Sequence, residues 1–582
     1  MINMVMPWGW WCVVSAACVA AAAQAAGPGR QARLVATAQG PVRGYLAAQQ
    51  DHYEFFGIPY ATAPTGPLRF TGPLPAPVWL ETLEAVNDSI ICPQSNLIKH
   101  LAPNKVMEEN CLIANIYVPD TEKKNLPVLV IVHGGGYQVG FGNFMTPRGL
   151  MKSKKVIAVT FNYRLGVHGF LCLGTNDAPG NAGMKDQVAL LRWVRKNIKQ
   201  FGGNPDDVTI TGSSAGGSSV DLLMLSDLAK GLFNKVIPES GSNVAVWSVQ
   251  IDPHENAKYY ANELGFMNID DVNALEEFYK NAPYDLLFSN SIMDGKDSTF
   301  GLGPCVERYT GTEAFLSDSP VNIIKQSKYR KVPVLYGFAN MEGLLRLVQF
   351  ENWQNEMNTN FTLFLPSDLQ FDNEQQRAQV AKAVKEFYFG DKAVNQETVL
   401  NFVDYFSDVT FAYPALRSVS LQVAAGSKSI YLYEYSYPVE VFAPYYKPPG
   451  EIPEYMSKIR GARHTAQTDA VLECSLGEHM EHEDSEAYRR HKELMKELWL
   501  NFITTGKPVG PGAAAVPGLE SWSPAGDNCS PHASLGERME MRGALLEARR
   551  KFWDGIYAKH YRAPAPPPPP PPPPLPARHT EL

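Results

Sequence analysis

Between a β-rich run, Val208-Thr-Ile-Thr, and an apolar stretch from Val220 to Leu228, the chain reads Gly212-Ser213-Ser214-Ala215-Gly216. A serine with glycine two residues to either side suits a tight strand-to-helix turn, because glycine tolerates backbone approaches that a Cβ forbids. The five-residue pattern alone is common in loops rich in Gly and Ser. Its place after a predicted strand and before a predicted helix makes Ser214 the candidate nucleophile, with Ser213 and Ser218 as bystanders.

The flanking sequence sets the architecture in which such a turn is useful. From Pro127 the chain runs PVLVIVHGGG, and VIAVTFNYRLG follows, two β-branched runs that predict neighbouring buried strands. Asp186 to Phe201 has helical spacing and stops before Gly202-Gly203. This alternation predicts an α/β fold with a large, mostly parallel central sheet covered by helices on both faces. A chain of 582 residues, 45% hydrophobic and 19% charged, has ample material for such a core within a single domain. The more polar stretches Asn268 to Ser327 and Gly477 to Arg490 read as helices and surface loops.

Acyl transfer by a serine needs donors for the oxyanion of the tetrahedral intermediate. The glycines after the first strand, in His133-Gly134-Gly135-Gly136, leave backbone N–H groups accessible, so Gly135 and Gly136 with the amide of Ala215 form a candidate three-donor hole. His133 is expected to shape this loop. A base with an orienting carboxylate must follow the nucleophile in the order Ser, acid, His, and Glu342 and His464 satisfy that order. Glu342 closes the β-rich run KVPVLYGFANMEG, Lys331 to Gly343. The pair His479 and His482 has helical spacing, but without further ligands nearby it reads as part of a solvated charged face, and no metal or other cofactor is expected.

The remaining features concern compartment and partners. A net charge of −8 argues against nucleic acid as a partner. Residues 1–26 read as a signal peptide, with an apolar run from Trp8 to Ala23 and small residues at the expected cleavage site, although no Lys or Arg precedes the run. The run is short for a stable membrane span, so an uncleaved anchor is the lesser reading. Asn87, Asn360 and Asn528 begin sequons, which agree with secretory entry. Residues 27–562 read as the catalytic body and 563–582 as a tail, in which Ala563 to Pro576 predicts an extended polyproline spacer. The chain ends His579-Thr-Glu-Leu582, similar to a retrieval signal of the endoplasmic reticulum, so lumenal retention and secretion both stand.

From about Gly40 to Tyr557 the chain resembles the type-B carboxylesterase and cholinesterase family of α/β-hydrolases. Phe56-Gly-Ile-Pro-Tyr-Ala61 with Pro67-Leu-Arg-Phe70, Glu109-Asn-Cys-Leu112, Asn162-Tyr-Arg-Leu-Gly166, Asp186-Gln187 and Phe201-Gly-Gly-Asn-Pro205 carry the resemblance. It implies ion pairs Arg69–Glu109 and Arg164–Asp186, a disulfide Cys92–Cys111, triad roles for Glu342 and His464, and a supporting role for buried Ser240. It also implies hydrolysis of a small-molecule carboxylic ester through an acyl-enzyme. Departures narrow the substrate. Ser213 stands where relatives often carry Glu before the nucleophile, which disfavours cationic choline esters. Thr465 replaces the glycine after the catalytic histidine, and Asn110 replaces an Asp. No cysteine pair lies between Gly241 and Asn290, so the family's next disulfide is not carried over, and the pairing of Cys172, Cys305, Cys474 and Cys529 stays open. The sequence around the nucleophile is most like insect esterases acting on hormones, xenobiotics or odorants. The alternatives are an inactive adhesion protein on the same fold and a neutral-lipid lipase; oligomeric state is open.

Overall fold

The computed structural model describes residues 30–48, 51–288, 295–440, 453–474 and 485–569. Its frame is a 13-stranded sheet. In chain order the strands are β1 (Ala32–Ala36), β2 (Pro41–Leu46), β3 (His52–Pro59), β4 (Leu83–Glu84), β5 (Ile113–Pro119), β6 (Leu126–Val132) and β7 (Ile157–Phe161). They continue with β8 (Gly203–Ser213), β9 (Lys235–Glu239), β10 (Val334–Ala339), β11 (Ile430–Tyr435), β12 (His532–Leu535) and β13 (Met539–Arg542). Across the sheet the order is β1-β2-β3-β5-β7-β6-β8-β9-β10-β11-β12-β13, with β4 beside β2. Every neighbouring pair from β7 to β12 runs parallel. Antiparallel pairing is confined to the first strands and to β12–β13.

Parallel strands are covered on both faces, and their side chains divide accordingly. Val128, Val130 and Val132 of β6 enter one core, while Leu129 and Ile131 enter the core on the opposite face. A third core, built from aromatic groups such as Phe350, Trp353, Phe402 and Phe406, centres on helices between β10 and β11 and takes in Trp553 and Tyr557 of the last helix, Glu547–His560. The chain leaves β6 for β7 on one side, then crosses to β8 on the other. The carboxyl ends of β6 and β8 therefore flank the point where strand order reverses, a natural crevice in α/β sheets.

Helix boundaries shift from the sequence expectation in instructive ways. Helix α1 is Ala182–Asn197, and Ile198–Phe201 tightens into a 3₁₀ turn that Gly202 ends at φ +97°. Helix α2 is Ala215–Leu223, starting directly at the turn although Gly216 and Gly217 are poor helix formers. Tertiary packing overrides propensity there. A Cβ on Gly216 would collide with the carbonyl of Val132, and one on Gly217 would stand 2.5 Å from the Glu239 carbonyl oxygen.

Both expected ion pairs form. Arg69 Nε lies 3.3 Å from Glu109 Oε1. Arg164 and Asp186 are buried, with Nε donating to Oδ2 at 2.7 Å and Nη2 to Oδ1 at 2.6 Å, while Nη1 donates to the carbonyls of Arg69 and Thr71. The guanidinium thus ties the start of α1 to the N-terminal segment.

Cys92 and Cys111 are bonded, and a second disulfide joins Cys172 to Cys305, a pairing the sequence left open. Cys305 lies in the stretch read as helices and surface loops; among the described residues Val272–Asn281 and Pro320–Lys325 are helical, while Phe300, Leu302, Cys305 and Val306 between them are buried and not surface loop. Cys529 is buried and outside both disulfides.

The tail differs from a plain spacer. Residues 563–569 form no regular helix or strand, but Pro564 and Pro567 are buried, three residues apart, the spacing that puts side chains on one face of a polyproline helix. A Cβ on Gly174 would stand 3.1 Å from Pro567 Cβ, which locates that contact beside Cys172. Residues 1–29, with the expected signal segment, and 570–582, with His579-Thr-Glu-Leu582, lie outside the described residues. Among the described residues no helix is long and apolar enough to cross a membrane. Asn87, Asn360 and Asn528 are exposed, and Thr362 Oγ1 donates to Asn360 Oδ1 at 2.6 Å.

Removing one partner of a buried charge pair leaves the other unpaired, at a cost of ~3–5 kcal/mol. Asp186→Ala is therefore expected to lower stability by about that amount in urea denaturation, whereas Arg43→Ala, at the half-exposed pair with Glu84, should cost under about 1 kcal/mol.

Candidate active site

The sheet register brings the sequence-separated motifs together. Gly212 of β8 pairs with Val132 of β6, and Ser213 with Glu239 of β9. His133-Gly134 and Ser240-Gly241 therefore leave the sheet on either side of Ser214.

Ser214 has φ +57° and ψ −125°, a strained conformation for any residue but glycine, and heads α2. Its N–H donates to the Glu239 carbonyl at 2.9 Å, and its own carbonyl accepts from Ser218 N–H at 2.9 Å. A Cβ on Gly212 would collide with Gly216, and one on Gly241 with the Ser214 carbonyl. Glycine is required by close approach, as expected. A Cβ on Gly134 would stand 2.6 Å from the Ser213 carbonyl oxygen, so the glycine loop lies directly against the turn. Gly135 and Gly136 have φ +112° and +61°.

Glu342, fully buried, begins a 3₁₀ segment just beyond β10. Its Oε1 accepts from Ser240 Oγ at 2.5 Å and from Ala339 N–H at 2.8 Å, and its Oε2 lies 2.5 Å from His464 Nδ1. A carboxylate only accepts, so Nδ1–H is the donor of this bond. The two loops are also bonded to each other, through Met341 N–H to Ala462 O and Ala462 N–H to Asn340 Oδ1, each at 3.1 Å. Against the imidazole lies Phe411, ring centroids 4.3 Å apart, held in one turn of π-helix, Asp408–Ala412. Trp247 anchors that turn by donating Nε1–H to Thr410 O at 2.8 Å.

His133 is buried and stacked on Tyr163, with centroids 4.3 Å apart, and burial pushes its pKa down to about 4. Its Nδ1 lies 2.8 Å from the Gly134 carbonyl. This neutral ring shapes the loop. Among the described residues no three His, Cys, Asp or Glu groups could hold a metal ion, and His479 and His482 lie outside them.

Several residues at the site escape sequence reasoning. Gln467 Nε2 donates to Ser240 Oγ at 2.5 Å, and Thr468 Oγ1 to Glu239 Oε2 at 2.6 Å, both from the short helix Ala466–Asp469 that follows His464. Tyr433 also donates to Glu239. Burial raises the Glu239 carboxyl to about 7, with the neighbouring Glu342 adding to the shift. Adjacency to Ser240 and to His464 was the one signal in the sequence for these residues, and it carries no chemistry without the fold.

Compared with known proteins, residues 31–553 match the profile of the carboxylesterase family. Esterase FE4 of Myzus persicae is 34% identical over 78% of this chain and 81% of its own length. A juvenile hormone esterase of Heliothis virescens is 32% identical over 78% and 82%. The crystal structure of juvenile hormone esterase from Manduca sexta, with OTFP covalently attached, superposes with a TM-score of 0.77 at 27% identity, covering 91% of this chain and 100% of that one. Fold and comparisons together define a serine carboxylic ester hydrolase with the α/β-hydrolase fold. The chain belongs to the carboxylesterase family.

Two consequences can be measured. The carboxyl of Glu239 has its folded-state pKa raised from 4.5 to about 7, so between those values the folded chain holds a proton that the unfolded chain has lost. Its contribution is fully present below the unfolded pKa and is lost as pH rises through about 7. Glu239→Gln should therefore shrink the loss of stability between pH 5 and pH 8 by ~1–3 kcal/mol, read from urea midpoints at both pH values. Thr465, the departure beside His464, sits at φ +69°, where a β-branched side chain is strained. Thr465→Gly is expected to raise stability by roughly 1 kcal/mol in the same assay.

Proposed function

We propose that the chain hydrolyses neutral carboxylic esters of the xenobiotic, hormone or odorant type through a Ser214–His464–Glu342 triad. The observation that carries this reading is the bond from His464 Nδ1 to a buried, fully partnered Glu342, on loops tied to each other beside the strained Ser214 turn.

In this mechanism His464 Nε2 takes the proton from Ser214 Oγ as the oxygen attacks the ester carbonyl. The amides of Gly135, Gly136 and Ala215 stabilise the oxyanion, each donor being worth roughly 3 kcal/mol of barrier. The imidazolium returns the proton to the departing alcohol, leaving an acyl-Ser214. Water, deprotonated by the same imidazole, releases the carboxylic acid and restores the serine. Ser240 and Gln467 hold Glu342 so that it orients the ring. No metal or organic cofactor enters any step.

Preference for a neutral substrate is supported by the uncharged Ser213 before the nucleophile. The two disulfides favour an oxidising compartment, consistent with the secretory pathway and with glycan attachment at the exposed Asn87, Asn360 and Asn528. Within that pathway, retention in the endoplasmic reticulum through His579 to Leu582 and secretion are the two alternatives; deletion of that tetrapeptide should release the protein to the medium if it is retained and change nothing if it is secreted.

Labelling the folded protein with a fluorophosphonate and mapping the modified peptide is expected to mark Ser214. Ser214→Ala should lower kcat/KM for short nitrophenyl esters by ~10⁴-fold or more, and Glu342→Gln by ~10²- to 10⁴-fold. Unlabelled Ser214, or full turnover by the alanine variant, refutes the assignment. Acetylthiocholine should be a poor substrate beside naphthyl acetate, and preference for emulsified long-chain esters would favour a lipase instead.

A further inference from the structure

The glycine loop that is to bind the oxyanion has no side chains of its own between His133 and Tyr137, so those two flanking residues must hold it. His133 is fixed by its stack on Tyr163. Tyr137 is more unusual. It follows Gly135 and Gly136 as a third consecutive residue of positive φ, at +64°, a conformation that is strained for a side-chain-bearing residue and persists only where surrounding contacts enforce it.

Those contacts are specific. The phenol donates to Ser218 Oγ at 2.8 Å, Ser218 donates to Ser248 Oγ at 2.7 Å, and Ser248 donates to the Ser242 carbonyl at 2.5 Å. All four residues are buried. Each hydroxyl in the chain gives one hydrogen bond, and the series ends on a carbonyl, so every proton has a place. The Tyr137 carbonyl accepts from Gly166 N–H at 2.8 Å, and its ring packs edge-on to Phe170 with centroids 5.0 Å apart.

The placement of Ser218 gives this chain its meaning. It lies in the first turn of α2, and its N–H donates to the Ser214 carbonyl. Two of the three expected oxyanion donors, Gly135 and Gly136, are on the loop that Tyr137 closes, and the third, Ala215, opens α2. The Tyr137–Ser218 bond spans the two halves of the hole. The chain then reaches Ser242, two residues beyond the Ser240 that holds Glu342. Ser218, a bystander on sequence grounds, becomes the joint between them.

We propose that Tyr137 and Ser218 are positioning residues that set the separation of the Gly135–Gly136 amides from the Ala215 amide, and that their hydrogen bond is needed for full stabilisation of the transition state. This rests on the assignment of those three amides to the oxyanion hole. Neither residue touches the substrate, so the effect is expected in kcat and not in KM.

The test compares the full-length chain with Tyr137→Phe, Ser218→Ala and the double variant, using nitrophenyl acetate turnover per titrated active site, the inhibition constant of an alkyl trifluoromethyl ketone, which binds as a tetrahedral oxyanion adduct, and Tm. Tyr137→Phe is expected to lower kcat by about 10-fold and weaken the ketone by a similar factor, with KM within about 2-fold. Ser218→Ala should do the same and serves in its place if the phenylalanine variant does not fold. Because both single changes break one bond, the double variant should be no slower than the slower single. Unchanged kcat and ketone affinity in either single variant, whatever happens to Tm, would overturn the proposal and assign the chain to stability alone. Independent multiplication of the two effects would overturn it too. A wild-type chain that turns over nitrophenyl acetate while Gly135→Ala and Gly136→Ala keep full kcat would instead remove the oxyanion-hole assignment, and the positioning role with it.

Discussion

The site depends on how closely three backbone segments approach at the carboxyl ends of β6, β8 and β9. Gly212, Gly216, Gly217 and Gly241 stand where a Cβ would meet the carbonyls or backbone of Val132, Glu239 and Ser214. Without side chains there, α2 can begin at the strand end, Ser214 can be turned out at positive φ, and the loop after His133 can lie beside it. The cost is a helix start with poor propensity and a strained serine. Packing on both sides of the sheet offsets it, since β6 sends side chains into the core on each face and β8 is buried from Val208 to Ser213.

Around this backbone the protein solves a second problem, that of keeping carboxylates where water is excluded. Glu342 receives two donors besides His464 and no solvent, so its charge is satisfied wholly by fixed hydrogen bonds. Glu239, one residue from Ser240, lies in the same region, and its carboxyl is pushed toward neutrality by burial and by the neighbouring Glu342. One carboxylate thereby lies bonded to an imidazole while its neighbour holds its proton more tightly. Ser240 and the short helix after His464 interlock the two, through Gln467 to one side and Thr468 to the other.

Much of this could be read before folding. The parallel sheet followed from the β-branched runs and their alternation with helical spacing, and the turn at Ser214 from its glycines. The Arg164–Asp186 and Arg69–Glu109 pairs and the Cys92–Cys111 bridge came with the family resemblance, because those residues stand in recognisable local strings. What escaped was non-local. Cys172 and Cys305 are 133 residues apart and neither lies in a telling motif. Phe411 reaches the imidazole from a single π-turn within a run of helix, with no motif around it. Pro564 and Pro567 look like any prolines in a spacer until a face of the body is found beneath them.

The sequence by itself determined the class of fold, the order of the strands and helices near the site, and the chemical types gathered at three points of the chain: glycine loop, serine turn, and acid followed by histidine. The first two are set by local backbone preference and periodicity, which a linear string carries, whereas the acid and the histidine came with the family resemblance. Only the tertiary structure decided that Glu342 Oε2 meets His464 Nδ1, that Ser240, Gln467, Thr468 and Glu239 form one buried network, and that Tyr137 is bonded to Ser218. Such contacts depend on the parallel register of β8 against β6 and β9, which places residues tens to hundreds of positions apart within hydrogen-bonding distance.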